Sequence, residues 1–136
     1  MAGAINRRPA SPQSFGKAER LNSKKLMDEL FNKGSSFVLY PFRVYYLKHE
    51  QPVPSQVQVM MGVSKKNFAS AVDRNRVKRL MRESYRKNKN IISVTLSAET
   101  KNLAVAFLFS DKKLPEYKFV EQKMIAALNS LLEKIK

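Results

Sequence analysis

The sequence predicts an α+β domain with six elements in the order α-β-β-α-β-α. Three observations predict it. Two stretches with strand composition (residues 37–48 and 56–64) sit between helical patterns, a continuous apolar run of strand length (Leu103–Phe109) comes late, and amphipathic stripes occupy the start, middle and end. At 136 residues and 43% apolar content, there is room for one core, with no internal repeat or second domain.

Residues 1–19 read as a flexible basic arm. Ala, Gly, Ser, Pro and Gln dominate, Pro9 and Pro12 block a helix, and Arg7, Arg8 and Lys17 are available to phosphate. The single domain then covers residues 20–136. Asn22 or Ser23 caps a first helix in which Leu26, Met27, Leu30 and Phe31 recur at helical spacing, and Gly34 stops it. Phe37–Lys48 follows as one strand, with Pro41 marking an edge or a bulge. After a turn at Gln51–Ser55, Val57 and Val59 alternate with Gln56 and Gln58 in a second strand, expected to pair with the first as a hairpin. A basic loop, Lys65-Lys66-Asn67-Phe68, leads to a second helix from about Asp73, a residue suited to cap it. Residues 88–99 fit a helical extension and a short strand equally poorly. Leu103–Phe109 suits a strand buried on both faces. After Pro115, a last helix carries Phe119, Val120, Met124, Ala127, Leu128, Leu131, Leu132 and Ile135 as its buried stripe.

Charge narrows the function. Twenty-six Lys and Arg against 11 Asp and Glu leave +15, which points to a polyanionic partner. Zero Cys removes disulfides, thiol catalysis and thiolate metal sites, and the one His, His49, leaves little for a metal cluster or a histidine acid–base pair. No metal ligand set or catalytic residue is assigned. There is no apolar run long enough to span a membrane and no signal-peptide pattern, so a cytoplasmic protein without a membrane partner or small-molecule substrate is expected.

The second helix concentrates the charge. Lys65 to Lys89 holds ten basic residues against Asp73 and Glu83, so +8 of the +15 lies here. At about 100° per residue, Val77, Leu80, Met81, Ser84 and Tyr85 share one side and face the sheet. Asn75, Arg79, Arg82 and Arg86 lie nearly opposite, flanked by Arg74 and Lys78, with Arg76 and Lys87 nearer the core boundary. The row runs about 24 Å and is self-repelling without a counter-charge. A solvated helix face normally mixes signs, yet Glu83 stands almost alone here. Five of the eight cations are Arg, whose planar forks match phosphate oxygens two at a time. Asn75 can read a base edge or a sugar hydroxyl, or bond its own backbone. Among the aromatics of the first strand (Phe37, Tyr40, Phe42, Tyr45, Tyr46) and Phe31 of the first helix, alternation forces some outward, where they can stack on unpaired bases.

These residues resemble the bacterial ribonuclease P protein component. Gly62-Val63-Ser64-Lys65-Lys66 is followed, after seven residues, by Arg74-Asn75-Arg76-Val77-Lys78-Arg79-Leu80-Met81-Arg82-Glu83. Arg20-Leu21 ahead of the first helix, Leu30-Phe31-Asn32-Lys33-Gly34 at its end, and the apolar strand with its closing helix extend the likeness over about residues 20–135. The resemblance implies a two-layer sandwich similar to a domain of ribosomal proteins and translocation factors (ribosomal-protein-S5-domain-2-like), with a left-handed β-α-β crossover. It implies the protein subunit of a ribonucleoprotein that removes the 5′ leader from precursor tRNA. Its partners would be the catalytic RNA and the single-stranded leader. Hydrolysis would belong to the RNA with its Mg²⁺, no cofactor would be bound by the protein alone, and the isolated protein would be inactive. By motif, Ser64, Lys65, Lys66, Arg74, Asn75, Arg76, Lys78, Arg79 and Arg82 would meet RNA, with Arg86 extending the row. Met27, Phe31, Phe42 and Tyr45 would line the leader cleft. Met27 stands where many members carry an aromatic, and it pads a groove less specifically. The spacer before Arg74 is one residue longer than in some members.

Two other functions fit the composition. One is a ribosome-associated structural protein that coats RNA without processing it. The other is a DNA-binding module, which lacks a second recognition element or a dimer seam.

Overall fold

The computed structural model describes residues 15–96 and 101–136. Its elements are a 3₁₀ turn (Lys17–Glu19), α1 (Lys24–Lys33), β1 (Ser35–Leu39), β2 (Phe42–His49), β3 (Val57–Val63), α2 (Ala71–Asn88), α3 (Asn90–Leu96), β4 (Asn102–Phe109) and α4 (Tyr117–Ile135). The four strands form one mixed sheet in the order β1-β2-β4-β3. The α+β class holds, with one strand and one helix more than expected.

The extra strand comes from Pro41. The stretch read as one strand is a tight hairpin, β1 against β2, reversing at Tyr40–Pro41, whose peptide is cis. Proline has no N–H for the ladder, so the run divides there instead of bulging. The expected pairing of the first two strand segments is also corrected. β2 pairs antiparallel with β4, and β3 pairs parallel with β4, so β4 separates them. A parallel pair needs a long crossover, and α2 with α3 supplies it. α3 resolves most of the ambiguous 88–99 segment as helix; residues 97–99 lie outside the described residues.

β4 is the central strand, and its apolar run follows from that place. Leu103, Val105, Phe107 and Phe109 face the main core, while Ala104 and Ala106 face the other side. The main core packs them against Val77, Met81 and Tyr85 of α2, Ile92 and Leu96 of α3, and the α4 stripe of Val120, Met124, Ala127, Leu128, Leu131 and Ile135. α1 covers part of the opposite face, where Leu26 and Leu30 sit over Ala104 and Ala106. Small residues on that face let the helix approach closely. Ser23 caps α1, its side chain accepting from Leu26 N at 3.2 Å.

Of the expected arm, residues 15–19 are packed on the domain, and residues 1–14 lie outside the described residues. Phe15 meets Tyr85 edge-on at 5.5 Å, Glu19 pairs with Lys89 at 2.6 Å, and Leu21 N donates to Val59 O at 3.0 Å. The segment thus straps the outer edge of β3 to α2.

Candidate nucleic-acid interface

α2 begins at Ala71, two residues earlier than expected. Ser70, not Asp73, is the cap: its hydroxyl accepts from Asp73 N at 3.4 Å. The helix buries Val77, Met81, Ser84 and Tyr85 and half-buries Leu80, as the periodicity requires. That leaves Asn75, Arg76 and Arg79 exposed and Arg74, Lys78 and Arg82 half-buried. The cations divide by partner. Arg86 is tied to Glu83, which Lys87 also approaches at 3.9 Å; the hydrogen bond from Arg86 holds the Glu83 carboxyl below its usual range. Arg86 is thus the member of the expected ridge that has a carboxylate partner. Arg74 donates to Phe68 O at 2.8 Å and Ala69 O at 2.9 Å, fastening the preceding loop. None of the ion pairs among the described residues engages Arg76, Lys78, Arg79 or Arg82. Partial burial, and then the charges of Arg20 and Arg79, push the Arg82 pKa down.

Ser64, Lys65 and Lys66 form an exposed turn at the end of β3. Lys66 N donates to Ser64 Oγ at 3.0 Å and Phe68 N to Ser64 O at 3.1 Å. Buried Phe68, 6.2 Å from Phe109, anchors the turn to the core. The two lysines are thereby presented beside the start of α2.

The aromatic wall lies on the face carrying α1. Phe31, 39% exposed, meets half-buried Tyr45 edge-on at 4.9 Å, and Met27 packs into the same small cluster. Phe42 does not belong there. It has the opposite parity on β2 and is fully buried in the main core against Phe107 and Phe109. The outward residue beside it is Arg43, which the sequence reading missed. In register it lies in a transverse row, Val38–Arg43–Leu108–Gly62, left open next to α1; Val38 and Arg43 are exposed. The neighbouring row, Ser36–Tyr45–Ala106–Met60, leads from the aromatic pair to the edge of β3. There Met60 shares a cavity of about 570 Å³ with Arg82 and Arg20. With strands roughly 4.8 Å apart, Met60 and Tyr45 stand about 10 Å from each other. Between them lies Ala106, buried under Leu26 and Leu30 of α1, so the Arg82 end of the ridge and the aromatic pair stand on either side of that covered stretch. Arg20 was visible only as part of the Arg-Leu pair before the α1 cap, and strand parity, once the hairpin is known, would have found Arg43.

Among the described residues no group of three or more His, Asp or Glu is placed to hold a metal ion, and no helix is long and apolar enough to cross a membrane. His49 is buried, its Nδ1 accepting from Gln51 N at 3.2 Å and its Nε2 without a partner. The arrangement is suited to holding a polyanion with exposed bases.

Comparison with known proteins agrees. The family model described as Ribonuclease P matches residues 15–134. The ribonuclease P protein component of Porphyromonas gingivalis is 38% identical over 120 residues, spanning 87% of this chain and 88% of the relative. That of Chlorobium phaeobacteroides is 33% identical over 129 residues, with the same shares covered. In fold, the chain is similar to the RNase P protein from Thermotoga maritima, with a TM-score of 0.65 at 23% identity over 82% of this chain and 96% of that one. The Staphylococcus aureus RNase P protein gives 0.52 at 24% identity over 88% and 97%.

Proposed function

The chain belongs to the ribonuclease P protein family and is the protein subunit of that enzyme, and from this premise we propose how its surface serves the reaction. The α2 ridge of Asn75, Arg76, Lys78, Arg79 and Arg82, with the Ser64–Lys66 turn, binds the catalytic RNA. Met27, Phe31 and Tyr45, with Arg43 on the open strip of sheet, hold the single-stranded 5′ leader of precursor tRNA. The single observation that carries this reading is the ridge itself, whose central cations find no carboxylate partner among the described residues.

In this reading bond cleavage with Mg²⁺ belongs to the RNA, and the protein contributes charge neutralisation and leader positioning in the cytoplasm. Guanidinium groups screen the phosphates that the RNA must bring together, and aromatic faces stack on unpaired bases irrespective of sequence.

The test is leader removal from precursor tRNA by the catalytic RNA at low Mg²⁺, with and without the protein. Stimulation is expected, and RNA-free protein should cleave nothing. Tight RNA binding without stimulation would favour a coating protein of the ribosome-associated kind and overturn the processing role.

A further inference from the structure

We propose that Arg20 and Arg82 close on one phosphate of single-stranded RNA at the outer edge of β3, a clamp distinct from the Phe31–Tyr45 wall. The cavity between them, about 570 Å³, is lined by Phe15, Lys17, Met60 and Met61 as well as the two arginines, and among the described residues by no acidic one. The nearest acid on the strap, Glu19, is occupied by Lys89 at 2.6 Å. Two guanidiniums thus face one cavity with no counter-ion from the described chain, an arrangement that an anion relieves. Lys17 adds a third positive charge at the rim.

Both arms of the clamp are held in place. Arg82 stands on α2, whose core-facing side is locked in place by Val77, Met81 and Tyr85. Arg20 sits on backbone pinned two ways: it bridges Val59, with Leu21 N donating to Val59 O at 3.0 Å, and Gln58 Nε2 donates to Ala18 O at 2.9 Å. Its guanidinium carbon lies 5.6 Å from the centroid of the Phe15 ring. Placed over the ring, Arg20 keeps N–H donors for the two non-bridging oxygens of a phosphodiester. Phe15, Met60 and Met61 supply apolar surface for the attached ribose or base.

The inference rests on the RNA-binding reading above, and its test separates the two. Pyrophosphate is titrated into the full-length protein while arginine side-chain NMR signals are followed. The signals of Arg20 and Arg82 should move together with one dissociation constant, and Arg20→Gln should weaken that binding at least fivefold. Movement of Arg79 without Arg20, or a change below twofold in the variant, overturns the clamp whatever the protein does in tRNA processing. With a labelled single-stranded RNA, the variants Arg20→Gln, Arg82→Gln and the pair should each flatten the salt dependence by the same amount, about 0.7 for one shared phosphate. A loss of about 1.4 in the pair would mean two separate contacts and overturn the proposal. A clamp that binds pyrophosphate in a protein that fails to stimulate leader removal would sink the processing role alone.

Discussion

Phe42 and Tyr45 stand three positions apart on one strand, and parity gives them opposite tasks. Phe42 is wholly enclosed by the main core, whereas Tyr45 leans on Phe31 at the surface. Phe42→Ala should cost about 3–5 kcal/mol of stability, read by urea unfolding, because it empties a packed site. Tyr45→Ala and Phe31→Ala should leave the fold near its original stability and weaken binding of leader-bearing substrate by up to about 1–3 kcal/mol. Equal losses for substrates with and without a leader would remove these two from the leader path. His49 offers a residue-scale test by pH. Burial lowers its pKa, with Glu29 pulling weakly the other way. The unfolded chain takes up a proton near pH 6.5 that the folded chain resists, so stability should fall as pH drops below about 6.5. The fall should cease once the lowered folded value is passed. His49→Gln should flatten this stretch of the stability–pH curve; an unchanged slope would mean that other groups set it.

Elements were legible in the sequence where a local pattern determines them. The offsets of Val77, Met81, Ser84 and Tyr85 define the buried side of α2 without reference to any partner, and the exposed cations follow by subtraction. The start of the helix was misread because Ser70 and Asp73 are both good caps, and only backbone geometry shows which one accepts the bond. Ser70→Ala should therefore cost about 1 kcal/mol in a denaturant melt, and Asp73→Ala less, since Asp73 acts only on the helix dipole. Arg86 differs from its neighbours in one respect that the spacing allows: it pairs with Glu83 three residues earlier. On this element, Arg79→Ala should flatten the salt dependence of RNA binding by about 0.7–0.9 per phosphate lost. Arg86→Ala, whose group Glu83 already engages, should change it less.

At the scale of the whole molecule, strand partnership was the illegible part. β4 lies between β2 and β3, and its partner Val57 is 46 residues from Leu103 along the chain, a distance over which composition carries no pairing information. The site inherits this, because the row joining Met60 to Tyr45 exists only once Ala106 lies between them. A chain ending at residue 101 should accordingly lack cooperative unfolding by circular dichroism, although it keeps every arginine of the ridge. During synthesis the N-terminal strap and all of α2 are translated before the strand that organises them. For that interval the polypeptide is a cationic, unfinished thread beside abundant ribosomal RNA, and association with the wrong polyanion is a hazard until the last third of the message has been translated.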